Sequence, residues 1–111
     1  MNNEEIYKAH VDCFFKAVKE HTLLIIIDSK SKADEAVFQL VYFDKENKIY
    51  RSFYGMLDEL GFKYTKDNRF ITHCAGRYSY YILDNIGIAL KNQGVELPKW
   101  WDKEIQYQSS I

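Results

Sequence analysis

Ala36-Val37-Phe38-Gln39-Leu40-Val41-Tyr42-Phe43, Asp44-Lys45-Glu46-Asn47 and Lys48-Ile49-Tyr50-Arg51-Ser52-Phe53 follow one another in the middle of the chain, and their reading decides the fold. The first segment is rich in β-branched and aromatic residues, which suit a pleated, half-buried surface. The second carries turn chemistry and the third returns with alternating character, so the three together predict a β-hairpin.

Downstream, Tyr54 to Leu60 predicts a short helix, ended by Gly61 where a left-handed residue is wanted. Phe62 to Tyr64 is expected to be extended, Lys66-Asp67-Asn68 to turn, and Arg69 to Cys74 to form a further strand. Upstream, Leu23 to Asp28 opens with five apolar residues, three of them Ile, which predicts a buried strand; Ser29 to Glu35 is a polar connection. Two long helices flank this region. Residues 4–21 place Ile6, His10, Cys13, Phe14, Ala17, Val18 and His21 at helical spacing, and Gly76 to Gln93 carries Tyr78, Ile82, Leu83, Ile86, Ala89 and Leu90 before a closing Gly94. Gly87 inside the second helix costs about 1 kcal/mol relative to Ala, which points to close backbone packing there. The tail from Val95 holds Leu97-Pro98-Lys99-Trp100-Trp101 and ends in a polar run. The expectation is one α+β domain over residues 1–111, a small antiparallel sheet with the two long helices packed on one face.

Composition narrows the function classes. The 111 residues carry fifteen Lys and Arg against sixteen Asp and Glu, a formal charge of −1 that argues against a DNA binder's basic surface and a DNA mimic's acidic one. No basic-then-apolar leader opens the sequence, and the longest apolar run, Leu23 to Ile27, is far short of the roughly 20 residues that cross a bilayer. A cytoplasmic protein with reduced thiols is expected, so Cys13 and Cys74 read as free core residues or metal ligands rather than as a bridge. Aromatic residues make up 16%, enough either to fill a core or to cover a binding face.

Four side chains suggest a metal. His10 and Cys13, three apart, share a helical face, and His73 and Cys74 stand where a strand meets a helix. If the first helix crosses that junction, the four can hold a structural zinc in a tetrahedral Cys2His2 site. The same residues read equally as buried core Cys and satisfied core His. A thiol enzyme centred on Cys74, with His10 or His73 as base, is the catalytic version, but no local signature of a known thiol enzyme accompanies it. Gly76-Arg77 alone does not make a phosphate loop. For partner binding the candidates are Tyr50, Arg51 and Tyr54 at the hairpin end, Arg77, Tyr78 and Tyr80 at the start of the second long helix, and the Trp100-Trp101 pair, because Arg, Tyr and Trp dominate interface hot spots.

Ser29-Lys30-Ser31 before the first hairpin strand, then Thr72-His73-Cys74-Ala75-Gly76, then Tyr81-Ile82-Leu83-Asp84-Asn85-Ile86, give residues 28–94 an order that resembles a group of small phage and prophage proteins. In that group a Met-Asp-Met follows the Cys, where this chain has Gly76-Arg77-Tyr78. The resemblance extends in profile to type II-A anti-CRISPR proteins, some of which carry a structural zinc. It implies a non-enzymatic inhibitor of a bacterial defence nuclease, with Cas9 as the expected partner, and direct nucleic-acid binding is not expected. A nucleic-acid or regulatory module that stacks bases on the Tyr-rich hairpin is the rival binding reading.

Overall fold

A computed structural model of the chain describes residues 2–28, 31, 34–73 and 79–110. The elements are α1 (Asn3–Lys19), β1 (Leu23–Ile27), β2 (Glu35–Asp44), β3 (Ile49–Ser52), α2 (Tyr54–Glu59), β4 (Lys63–Tyr64), β5 (Phe70–His73), α3 (Ser79–Asn92) and α4 (Trp101–Ser109). The fold is α+β, an open antiparallel sheet with the helices gathered over one face.

The hairpin forms where the sequence places it. Asp44 locks the turn: its Oδ1 accepts the N–H groups of Glu46 and Asn47 at 3.1 and 3.2 Å, and its Oδ2 accepts Asn47 Nδ2 at 2.9 Å and Arg51 Nε at 2.7 Å. β2 is the axis of the sheet. β1 runs along one side of it, with Ile25 opposite Leu40, while the other side is shared by β3 against residues 41–44 and β5 against residues 35–38. β4 lies outside β5.

Side-chain alternation then gives the sheet two unlike faces. Ala36, Phe38 and Leu40, with Leu23, Ile25, Ile27, Phe70 and Thr72 across from them, point toward the helices. Val11, Phe14, Ala17 and Val18 of α1 and Ile82, Leu83, Ile86 and Leu90 of α3 complete that core. Asn85 fastens α3 to β5, its Nδ2 donating to Thr72 Oγ1 at 3.0 Å and to the His73 carbonyl at 2.6 Å.

Three expectations are corrected, and one element is added. First, α1 stops before His21, which turns left-handed at φ 58° while the Thr22 N–H closes back on the Ala17 carbonyl. Second, the buried stripe of α1 runs through Val11, Phe14 and Val18, leaving Ile6 and His10 exposed and Cys13 half-buried. Val11, Phe14 and Val18 make a continuous apolar ridge, whereas a stripe through His10 and His21 would have to desolvate two imidazoles. Third, β1 is an edge strand whose exposure alternates, with Leu24 and Ile26 in solvent. In addition, the tail after Pro98 carries a helix of its own, α4. Trp101 is its one buried residue, with Ile105 packed beside it one turn on.

Gly87 is a close-packing site, as expected. A Cβ there would stand 2.9 Å from Trp101 Nε1 and 3.0 Å from Cε2 and Cζ2. Gly94, two residues past the end of α3, turns the chain left-handed at φ 85°. The expected start of α3, residues 76–78, lies outside the described residues, as do Ser29, Lys30 and Cys74.

Most of the aromatic excess is core. Phe14 meets Phe53 and Trp101 at ring distances of 5.7 and 5.9 Å, and Phe38, Phe62, Phe70 and Tyr54 form a second cluster.

Candidate functional site

The expected zinc ligands divide between two ends of the molecule. His10 lies against the start of α2, with ring atoms 3.8 Å from the place of a Gly55 Cβ, and Cys13 lies beside Tyr42 near the hairpin end, where both line one shallow pocket with Ile49 and Tyr50. His73 pairs with Glu35 at the other end of β2. The seven residue steps from Glu35 to Tyr42 correspond to about 23 Å of strand. His73 also stands on the face away from the helices, since its register partner Glu35 is out of phase with Ala36. The Cys2His2 set therefore does not assemble from its described members, and Cys74 lies outside the described residues. Among the described residues no group of three or more His, Cys, Asp or Glu is placed to hold a metal ion. The described members of the set, His10, Cys13 and His73, do not converge on a zinc centre.

Around Cys13 the structure builds a small polar network instead. Hydrogen bonding to Cys13, with the Tyr42 hydroxyl as donor and burial as the second cause, pushes that hydroxyl up to about 12. Hydrogen bonds from Asn47 and Arg51 hold the Asp44 carboxyl far below the usual carboxylate range. The sign for Tyr42 follows from linkage: its contribution to stability is fully present below the unfolded value near 10 and is lost as pH rises through about 12. Urea midpoints measured on either side of pH 10 are expected to fall more steeply for the wild type than for Tyr42→Phe, which keeps the ring but has no proton to lose. Parallel curves would remove the Cys13–Tyr42 coupling.

The described members of the expected partner-binding set do not form one surface. Trp101 is a correction: at 2% exposure it sits in the core between Phe14, Phe15 and Gly87 and is closed to any partner. Trp100 is half-buried at the edge of the same core. Tyr54 is half-buried against Phe70 and Tyr64, and Tyr80 against Tyr81. Arg51 is tied to Asp44. Arg77 and Tyr78 lie outside the described residues. Tyr50 is 64% exposed, the most open of the described aromatic members of the set, and Arg51 beside it is exposed as well.

Tyr50 belongs to a larger feature that residue type alone does not mark. The face of the sheet away from the helices carries Leu24, Ile26, Val37, Val41, Phe43, Tyr50 and Ile71, with Gln39 among them. None of these belongs to the helix-side core or packs against it. Leu24 is 44%, Ile26 50% and Phe43 37% exposed, and the Phe43 and Tyr50 rings meet across the strands at 5.1 Å. With side chains of about 200 Å² each, those three and Tyr50 alone present roughly 400 Å², the size of the largest and often functional patch on a monomer. The signal was in the sequence: Val37, Val41 and Phe43 alternate with Phe38, Leu40 and Tyr42, so both faces of β2 are apolar although helices cover one.

An open cleft elsewhere on the surface is lined by His21, Ser79, Tyr80, Glu104 and Tyr107. His21 Nε2 lies 2.7 Å from Glu104 Oε1 and its ring stacks on Tyr107, which ties the end of α1 to α4. Among the described residues no helix is long and apolar enough to cross a membrane. No family model, curated protein or solved structure matches this chain.

Proposed function

We propose that this protein is a non-enzymatic binding domain that acts by docking on another protein, through the open face of its sheet. The single observation that carries the reading is the uncovered apolar face built by Leu24, Ile26, Val41, Phe43 and Tyr50. Apolar and aromatic surface of that extent, with no charged residue at its centre, suits the desolvated middle of a protein interface. The near-neutral charge favours a shaped contact over mimicry of nucleic-acid phosphate. The resemblance of the segment order to small phage proteins suggests the target class proposed here: a bacterial defence nuclease, with Cas9 first, whose nucleic-acid loading or activation the bound domain would block.

The test is capture of Cas effectors from lysate on the immobilised protein, followed by titration of purified Cas9 with the wild type and with a Phe43→Ser, Tyr50→Ser variant. A stable complex is expected, with affinity weakened about ten-fold or more in the variant, since hot-spot aromatics each contribute on the order of 1.4 kcal/mol or above. Absence of a complex overturns the target, and equal affinity of the variant overturns the site. Tight binding of labelled DNA that falls steeply with salt would transfer the reading to the nucleic-acid module.

A further inference from the structure

The free edge of β1 has its own chemistry. Among the described residues β1 pairs only with β2. The Asp28 N–H donates to the Val37 carbonyl at 2.8 Å, which fixes the phase of the ladder. Antiparallel pairs alternate between bonded and non-bonded, so Leu24 and Ile26 also bond to β2, while the N–H and C=O groups of Leu23, Ile25 and Ile27 point away from the sheet. Natural edges are blunted by Lys, Pro, a bulge or an inward charge. Leu23-Leu24-Ile25-Ile26-Ile27 has none of these: it is uncharged, regular and five residues long.

We infer that β1 pairs antiparallel with β1 of a second copy of this chain, with Ile25 opposite Ile25 on a two-fold axis. That register gives the fullest overlap of the strand with itself. It uses the outward-facing groups of Leu23, Ile25 and Ile27 in about six ladder hydrogen bonds, because each bonded pair exchanges two. It also sets Leu24 of one copy directly across from Ile26 of the other, twice, in the non-bonded positions where side chains come closest. Those two side chains, 44% and 50% exposed in the single chain, then shield one another.

Charge selects a second copy over other occupants. Self-pairing of a charged edge sets like charges face to face, whereas here the nearest charge is Asp28. Asp28 falls opposite Thr22 of the other copy and already pairs with Arg69 of its own chain. Five residues a side is fewer than the roughly 20–30 of a standard interface, so the dimer forms at high concentration and dissociates on dilution. The two outer faces become neighbours in one continuous sheet, which leaves Phe43 and Tyr50 uncovered.

The experiment combines solution mass with charge exchange at positions 24 and 26. The wild type is expected to double in mass by sedimentation as concentration rises, and the amides of Leu23, Ile25 and Ile27 to gain hydrogen-exchange protection over the same range. The doubly basic variant L24K/I26K sets like charges across the axis and is expected to stay monomeric. L24K/I26E sets opposite charges across it and is expected to dimerise again, with unchanged circular dichroism in both. A wild type that remains monomeric overturns the inference, as does dilution-independent exchange at those three amides. Equal monomerisation by L24K/I26K and L24K/I26E overturns the register, and stacking of outer faces would produce that result.

Discussion

Trp101→Ala is expected to lower stability by about 3–5 kcal/mol, the usual cost of emptying a buried aromatic site. For a chain of this size, at about 4 °C per kcal/mol, the melting temperature falls by roughly 12–20 °C. The indole is 2% exposed and packs at ring distances of 5.9 Å from Phe14 and 5.7 Å from Phe15, so it joins α4 to the middle of α1. It is also the one buried residue of α4, whose remaining anchors are the His21–Glu104 contact, the His21–Tyr107 stack and the partly buried Ile105. A nine-residue helix is not stable in water without packing, so α4 is expected to open in this variant. Thermal melts give the stability change, and proteolysis should then cut first within residues 101–109. A loss under about 1 kcal/mol would remove Trp101 from the core and return it to the partner-binding set.

Gly87→Ala is expected to destabilise, against the helix propensity that favours Ala by about 1 kcal/mol. The new methyl would meet Trp101 ring atoms at 2.9–3.0 Å. The ring cannot swing away, because Phe14 and Phe15 bear on it. Overpacking of this kind costs about 1–3 kcal/mol, enough to outweigh the propensity gain. The sign should reverse once the ring is gone: in a Trp101→Ala background, Gly87→Ala is expected to stabilise by up to about 1 kcal/mol. Denaturant melts of the four proteins form a double-mutant cycle, and a coupling near zero would show that helix and indole do not touch.

Local rules carried much of the fold. The hairpin, the short helix ended by Gly61, the turn at Asn68 and the close of α3 at Gly94 are each specified within a few residues, by turn chemistry or by a left-handed backbone at φ 60–85°. Gly87 was legible for the same reason, since a helix interior tolerates Gly where something needs the space. The end of α1 was less legible because His21 fits the helical stripe in spacing, and only its contacts with α4 reward a left-handed turn there. Helix α4 was illegible from periodicity: Trp101 and Ile105 are its two core contacts, too few to define a stripe.

The candidate site divides in the same way. His10 and Cys13 are neighbours on α1 by spacing alone, but whether His73 meets them depends on which end of β2 each strand and helix reaches. Residue type likewise marked Trp101 and Tyr50 as equals, and burial separates them completely.

By itself, then, the amino-acid sequence determined the kinds of elements, most of their boundaries and the α+β class, because propensity, turn geometry and short-range periodicity act over a few residues. Which face of the sheet the helices cover, which strand is left at the edge and which aromatic rings meet solvent were decided by the tertiary structure. Two apolar faces of β2 look alike along the chain, and only long-range packing of α1, α3 and α4 buries one of them and leaves Leu24, Ile26, Phe43 and Tyr50 open on the other.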